Sequence, residues 1–313
     1  FFALWVTMVT PPDEHGLEMT HGRVIRNVGT MILAMAFFSC CFLSCYLRLM
    51  PRLSRTYAMM IRPTQADFAS RVHSTIHAIV VPVGLLWSIH RCELWGQPLV
   101  NTCSSAEVFY SISVGYFLVD LVIITFFKIE FWPVFVAHHI FALLPYAINN
   151  FVPTASHCHY LLSLMLCVEI STIFLNIQWW LEQTEQTHTN FYGAIFYTTY
   201  VSWFIVRVVN PIYVVILMID EVFPHYWLDR RVLISYVSAF VVAAFCWYCF
   251  LFVFTPDVCQ RCKRKKHPRN IASTGDIESA LDRRLLTDPD LLDKSGTPRA
   301  ARTRSRSGNL IHV

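Results

Sequence analysis

Apolar residues in this chain come in long runs broken by short polar stretches, rather than in the strict alternation of a strand or the single stripe of a surface helix. Seven runs approach the roughly 20 residues a helix needs to cross a bilayer. They lie at about 28–47, 72–90, 107–127, 131–150, 158–178, 191–219 and 232–254. The pattern predicts an all-α, polytopic transmembrane bundle of about seven helices, with no internal repeat.

The polar breaks set an orientation. Arg48, Arg52, Arg55, Arg62 and Arg71 cluster after the first run, and Arg261, Lys263, Arg264, Lys265, Lys266 and Arg269 follow the last. Basic segments stay on the cytosolic side, and six crossings between the two clusters place both on the same side, as that rule requires. The loop holding Cys92 and Cys103 then faces the lumen or the exterior, where a bridge between them is chemically permitted. The link at Lys128 to Glu130 becomes a tight cytosolic hairpin. Phe1 to Val9 is apolar but too short to span, and reads as the end of a helix or signal segment.

Composition adds a second region. The whole sequence is 55% hydrophobic and 15% charged, with a net charge of +4. Residues 256–313 carry 13 Lys/Arg against 7 Asp/Glu, a net +6, which leaves −2 for residues 1–255. The basicity therefore belongs to a tail, and it points to an anionic membrane surface and away from nucleic acid. With so little apolar content the tail from Pro256 is expected to be disordered. Three regions follow: residues 1–61 with the first helix and a basic loop, a helical domain over 62–258, and a basic cytosolic tail over 259–313. In the tail, Asp282-Arg283-Arg284-Leu285-Leu286 and Asp288-Pro289-Asp290-Leu291-Leu292 resemble adaptor-read sorting signals, which makes adaptor proteins candidate partners. Cys259 and Cys262, beside the membrane and a lysine run, suit palmitoylation better than zinc, because no second Cys/His pair follows at ligand spacing. Most of the 11 cysteines, such as Cys40, Cys41, Cys45, Cys167, Cys246 and Cys249, sit in apolar runs as small hydrophobes.

Ionisable groups inside the spans are costly and mark sites or structural pairs. At about 1.5 Å per helical residue, Asp120 of the third helix, His138 and His139 of the fourth and Glu169 of the fifth fall at one level, roughly 10 Å inside the cytosolic face. His73 and His77 of the second helix share one face near the same level. Tyr116 and Ser113 lie on the Asp120 face, Thr172 and Asn176 on the Glu169 face, and Arg207 of the sixth helix is deeper but long enough to reach Glu169. His138 or His139 is the expected base, with Asp120 or Glu169 as its orienting carboxylate. His77, Tyr116, Thr172, Asn176 and Arg207 are the expected pocket. The plainer readings stand beside these: Asp120 orienting a histidine, Glu169 and Arg207 as an ion pair stitching helices, Asn176 and Tyr116 as packing. No metal is expected, since adjacent histidines point about 100° apart on a helix and no HExxH spacing occurs. Pro82, Pro145 and Pro211 each free a carbonyl one turn earlier and would shape a cavity.

The ordered segments Arg71-Val72-His73-Ser74-Thr75-Ile76-His77-Ala78, Gly115-Tyr116-Phe117-Leu118-Val119-Asp120, His138-His139, Glu169-Ile170-Ser171-Thr172-Ile173-Phe174-Leu175-Asn176-Ile177-Gln178-Trp179-Trp180 and Phe204-Ile205-Val206-Arg207 resemble the TLC domain, the lipid-handling membrane domain of the TRAM, Lag1 and CLN type, over about residues 62–258. The Glu-x-Ser-Thr-x-x-x-Asn-x-x-Trp segment is most similar to a branch distinct from the ceramide synthases. That resemblance implies a lipid-binding intramembrane cavity, membrane lipids as partners, a role in membrane lipid homeostasis by sensing, transport or regulation, and a location in the endoplasmic reticulum or another endomembrane. It implies no cofactor. The ceramide synthases share the His-His pair, which implies as an alternative an acyl-CoA-dependent lipid N-acyltransferase with acyl-CoA as substrate. Those enzymes carry two aspartates on the following helix, where this chain reads Leu166-Cys167-Val168-Glu169-Ile170-Ser171-Thr172 with one carboxylate, so acyl transfer ranks second. A trafficking or insertion factor is the third reading, resting on the tail signals.

Overall fold

The computed structural model describes residues 21–99, 101–152, 158–226 and 230–266. Among them, seven helices are long and apolar enough to cross a membrane, as the hydropathy runs predict, and there is no strand. They are α1 (Gly22–Leu53), α2 (Arg62–Arg91), α3 (Ser104–Phe127), α4 (Trp132–Phe151), α5 (His159–Gln183), α6 (Asn190–Glu221) and a seventh, of which α7 denotes Arg230–Cys249. The chain is an integral, multi-pass membrane protein. The described residues up to Leu251 form one compact unit. The second unit begins at Phe252, and its described part includes the helix Thr255–Lys266. Helical order thus continues past Pro256, where low apolar content predicts none; proline at the start of a helix loses no intrahelical bond. The tail beyond Lys266, with both Leu-Leu segments, lies outside the described residues, as does Phe1 to Val9.

Helix α3 is the axis of the bundle. It packs on α1, α2 and α4, and 78% of its membrane-spanning window is buried, against 28% for α1, α4 and α6. Small residues allow this. A side chain on Gly115 of α3 would meet the Met31 carbonyl of α1 at 2.7 Å and Ala34 at 2.9 Å, and the Phe109 ring of α3 fills the space beside Gly84 of α2. Close backbone approach is how apolar helices gain contact area in lipid, where tails and leucines are equally apolar. The outward faces carry exposed apolar side chains such as Ile25, Val122 and Phe126, the surface a lipid-facing helix presents.

Turns fix which ends meet. Lys128 and Phe131 take left-handed backbone conformations, φ 49° and 58°, and close the expected hairpin between Phe127 and Trp132. At the other end Cys92 and Cys103 form a disulfide with a Cα–Cα distance of 5.9 Å. Helices also outrun their apolar cores. α2 starts at Arg62 with Pro63 in its first turn, and an Arg71–Asp67 pair one turn apart, Nε to Oδ1 at 3.0 Å, supports its polar beginning.

Candidate functional site

Asp120 sits at the junction of three helices. From α3 it faces His139 of α4, with Nε2 2.8 Å from its Oδ2, and His73 of α2, whose Nε2 lies 3.3 Å from Oδ1 but off the line of a hydrogen bond. The α3–α4 hairpin makes the first contact inevitable: a turn of four residues returns the chain antiparallel, so positions equally far from the turn face each other. His139 Nδ1 lies 2.8 Å from the Phe135 carbonyl one turn back. A carbonyl and a carboxylate both accept, so both ring nitrogens of His139 point at acceptors. Two protons satisfy that geometry, one on Nδ1 and one shared between Nε2 and Oδ2.

His138 is arranged differently. Its ring is half-buried, stands perpendicular to that of His139 at 5.5 Å and leans on Phe245 of α7 at 5.2 Å. Its Nδ1 is buried and has no hydrogen-bond partner among the described residues. The adjacent histidines therefore divide: one is locked against Asp120 and the other has a buried ring nitrogen without a hydrogen-bond partner. His77, fully buried, lies one turn from His73, shares Nε2 with the Ser113 hydroxyl at 3.1 Å and stacks on Tyr116 with ring centroids 4.0 Å apart. Phe38 and Phe42 of α1 close this side with rings against His73.

Glu169 and Arg207 form a second pair, 3.5 Å apart. Arg207 also donates from Nε to Ser171 Oγ and from a terminal nitrogen to Thr172 Oγ1, both at 2.7 Å, while Thr172 donates to Glu169 at 2.9 Å. The guanidinium lies 4.5 Å over Trp203. Local backbone sets this up. Glu169 ends a 3-10 turn, Cys167–Glu169, inside α5, and Arg207 occupies a π-helical turn, Phe204–Val209, directly before Asn210 and Pro211. Pro211 has no N–H for the carbonyl one turn back, and a widened turn accommodates its ring. The 3-10 turn that carries Glu169 packs against α2 and against the π-helical turn that carries Arg207.

Asn176 belongs elsewhere. It accepts from Arg71 at 3.1 Å and donates to Thr75 Oγ1 at 3.0 Å and to the Arg71 carbonyl and Ser74 Oγ at 3.3 Å, which ties α5 to α2. Arg71 lies 4.2 Å over Trp179. Of the expected residues, His138, His139, Asp120, His77 and Tyr116 form one connected cluster by way of His73, Glu169, Thr172 and Arg207 form another, and Asn176 is bonded to α2 instead. No three His, Cys, Asp or Glu side chains among the described residues have the geometry to hold a metal ion.

Sequence reasoning missed a third network at the disulfide end. Glu107, fully buried, accepts from Arg23 in two contacts and from Arg26 at 2.7 Å. Asn150 donates to the Glu107 carbonyl at 2.8 Å and to Ser111 at 2.9 Å, and Cys103 N–H donates to His159 Nδ1 at 2.9 Å. A usable signal was present: α1 and α3 run parallel, and two arginines begin one while a lone carboxylate begins the other.

The fold and site define a multi-pass membrane helix bundle with a carboxylate clasped between histidines of neighbouring helices. The family model of the TLC domain (TRAM, LAG1 and CLN8) matches residues 67–260. The chain belongs to the TLC domain family. It is similar to TLC domain-containing protein 4 of Xenopus tropicalis, 28% identical over 142 residues, 43% of this chain and 52% of that protein. It is also similar to TLC domain-containing protein 4-B of Danio rerio, 29% identical over 131 residues, 40% of this chain and 47% of that protein. The matched region spans about half the length of these relatives, which are not named as ceramide synthases.

Proposed function

We propose that this protein binds a membrane lipid among α2 to α5 and α7 and acts in membrane lipid homeostasis, with the histidine-bearing half of the bundle toward the cytosol. The supporting observation is the Asp120–His139 pair with the buried, unpartnered Nδ1 of His138 beside it: a bilayer-embedded chain keeps such groups where a polar head enters an apolar interior. Basic residues in the α1–α2 loop support the orientation and a cytosolic tail, and the family supports an endomembrane location. Native mass spectrometry of the purified protein tests it. A retained lipid that His138→Ala releases is expected; protein that emerges empty overturns the reading.

One observation favours acyl transfer as the second reading. His138 Nδ1 has no hydrogen-bond partner, so His138 is the imidazole whose ring nitrogen is not already engaged, while His139 stays fixed by Asp120. Purified protein given acyl-CoA and a long-chain amine should then release free CoA, and His138→Ala should abolish it. Absent turnover in the unmodified protein removes this reading and leaves lipid binding standing.

A further inference from the structure

The stretch joining α1 to α2 contains no carboxylate from Cys45 to Ala66, yet carries Arg48, Arg52, Arg55 and Arg62. All four side chains are exposed, and none pairs with a carboxylate among the described residues. Arg48 and Arg52 are four apart on one helical face. The backbone breaks at Ser54 (φ −132°, ψ 115°) and again at Ile61 (φ −69°, ψ 154°), with a one-turn helix, Arg55–Met59, between.

The opposite face of this joint is anchored. Tyr57 is 1% exposed, donates from its hydroxyl to the Tyr46 carbonyl at 3.1 Å, and packs its ring on Phe68 of α2 at 5.5 Å. Gln65 donates to the Tyr57 carbonyl at 3.0 Å, and Ser54 caps the short helix by accepting from Tyr57 N–H at 3.1 Å. Outward, the arginines alternate with exposed apolar side chains, Leu53 at 70%, Met59 at 80% and Ile61 at 71%. Water would penalise those three, whereas the boundary between headgroups and acyl chains accepts both kinds at once.

We propose that Arg48, Arg52, Arg55 and Arg62 form a seat for the headgroups of anionic phospholipids in the bilayer that holds the protein, with Leu53, Met59 and Ile61 set into the same leaflet. A planar guanidinium bonds phosphate oxygens in pairs, and four uncompensated cations on a rigid joint match a cluster of phosphates. Each contributes roughly fivefold to the local preference for anionic over neutral lipid at low salt, and the preference falls with ionic strength.

The test uses the full chain in nanodiscs of mixed phosphatidylcholine and phosphatidylserine, with native mass spectrometry of the lipids that stay bound on release. Phosphatidylserine should be enriched over its bulk share, and added salt should erase the enrichment. A variant with all four arginines changed to Gln should lose most of it, the same four changed to Lys should keep part, and replacement of Lys263, Lys265 and Lys266 by Gln should leave it largely intact. Absence of enrichment, enrichment indifferent to salt, or enrichment lost with the tail lysines instead of the arginines overturns the proposal. Where the Gln variant fails to fold, the Lys variant and the tail-lysine variant still decide between the two basic clusters, and the salt titration of the unmodified protein tests that the preference is electrostatic.

Discussion

At the scale of single residues, chemistry divides between two neighbours in sequence. His139 spends both nitrogens on acceptors, so Asp120→Asn disturbs the buried contact at Nε2. Leaving a buried polar group unsatisfied costs about 1–3 kcal/mol, and a fall in thermal unfolding temperature in detergent is expected. An unchanged melting point would mean that this contact contributes nothing to stability. His138→Ala should cost stability by only about 1 kcal/mol, because its half-buried ring supports one packing contact and no hydrogen bond at Nδ1, while lipid retention is lost. The depth count made Asp120 and His139 neighbours from the sequence. It could not choose between the histidines, since adjacent positions differ in which helix they face, and that depends on where α7 packs.

At the scale of helices, packing is set by small side chains and by widened turns. Gly115→Leu should destabilise strongly, because its Cβ already meets Met31 O at 2.7 Å and the remaining atoms would force α1 from α3. Gly193→Ala meets nothing within 4 Å and should be neutral or add about 0.4–1 kcal/mol by restricting the unfolded chain. Paired thermal melts decide both, and a reversed order would discredit the close-packed α1–α3 seam. Helix number and approximate placement were legible, because hydrocarbon length imposes apolar run length. Their ends were not. Polar starts such as Arg62 to Arg71 and Arg23 to Asn27 are helical and carry ion pairs that hydropathy ignores, and this hid the Glu107 network. The 3-10 turn at Glu169 was also unreadable, and it leaves Asn176 tied to α2 and apart from the histidines.

At the scale of the whole molecule, buried polar networks bracket the bundle, two built around Asp120 and Glu169 and a third around Glu107 beside the disulfide. The bridge between Cys92 and Cys103 closes a short loop with a sequence separation of 11 and should contribute about 3 kcal/mol. Its reduction should lower the unfolding temperature by several degrees, and an identical melt with and without reductant would count against that contribution. The axial position of α3 also bears on how the chain is made. A ribosome delivers helices to the membrane in order, and α3 arrives with two carboxylates that lipid alone would penalise. Glu107 finds Arg23 and Arg26 of α1 already inserted, but the hydrogen-bond partner of Asp120 is His139, 19 residues further along. The short Lys128 to Phe131 turn keeps α3 and α4 adjacent, so the two are expected to settle into the membrane as a pair, with His73 of α2 as the earlier neighbour of Asp120.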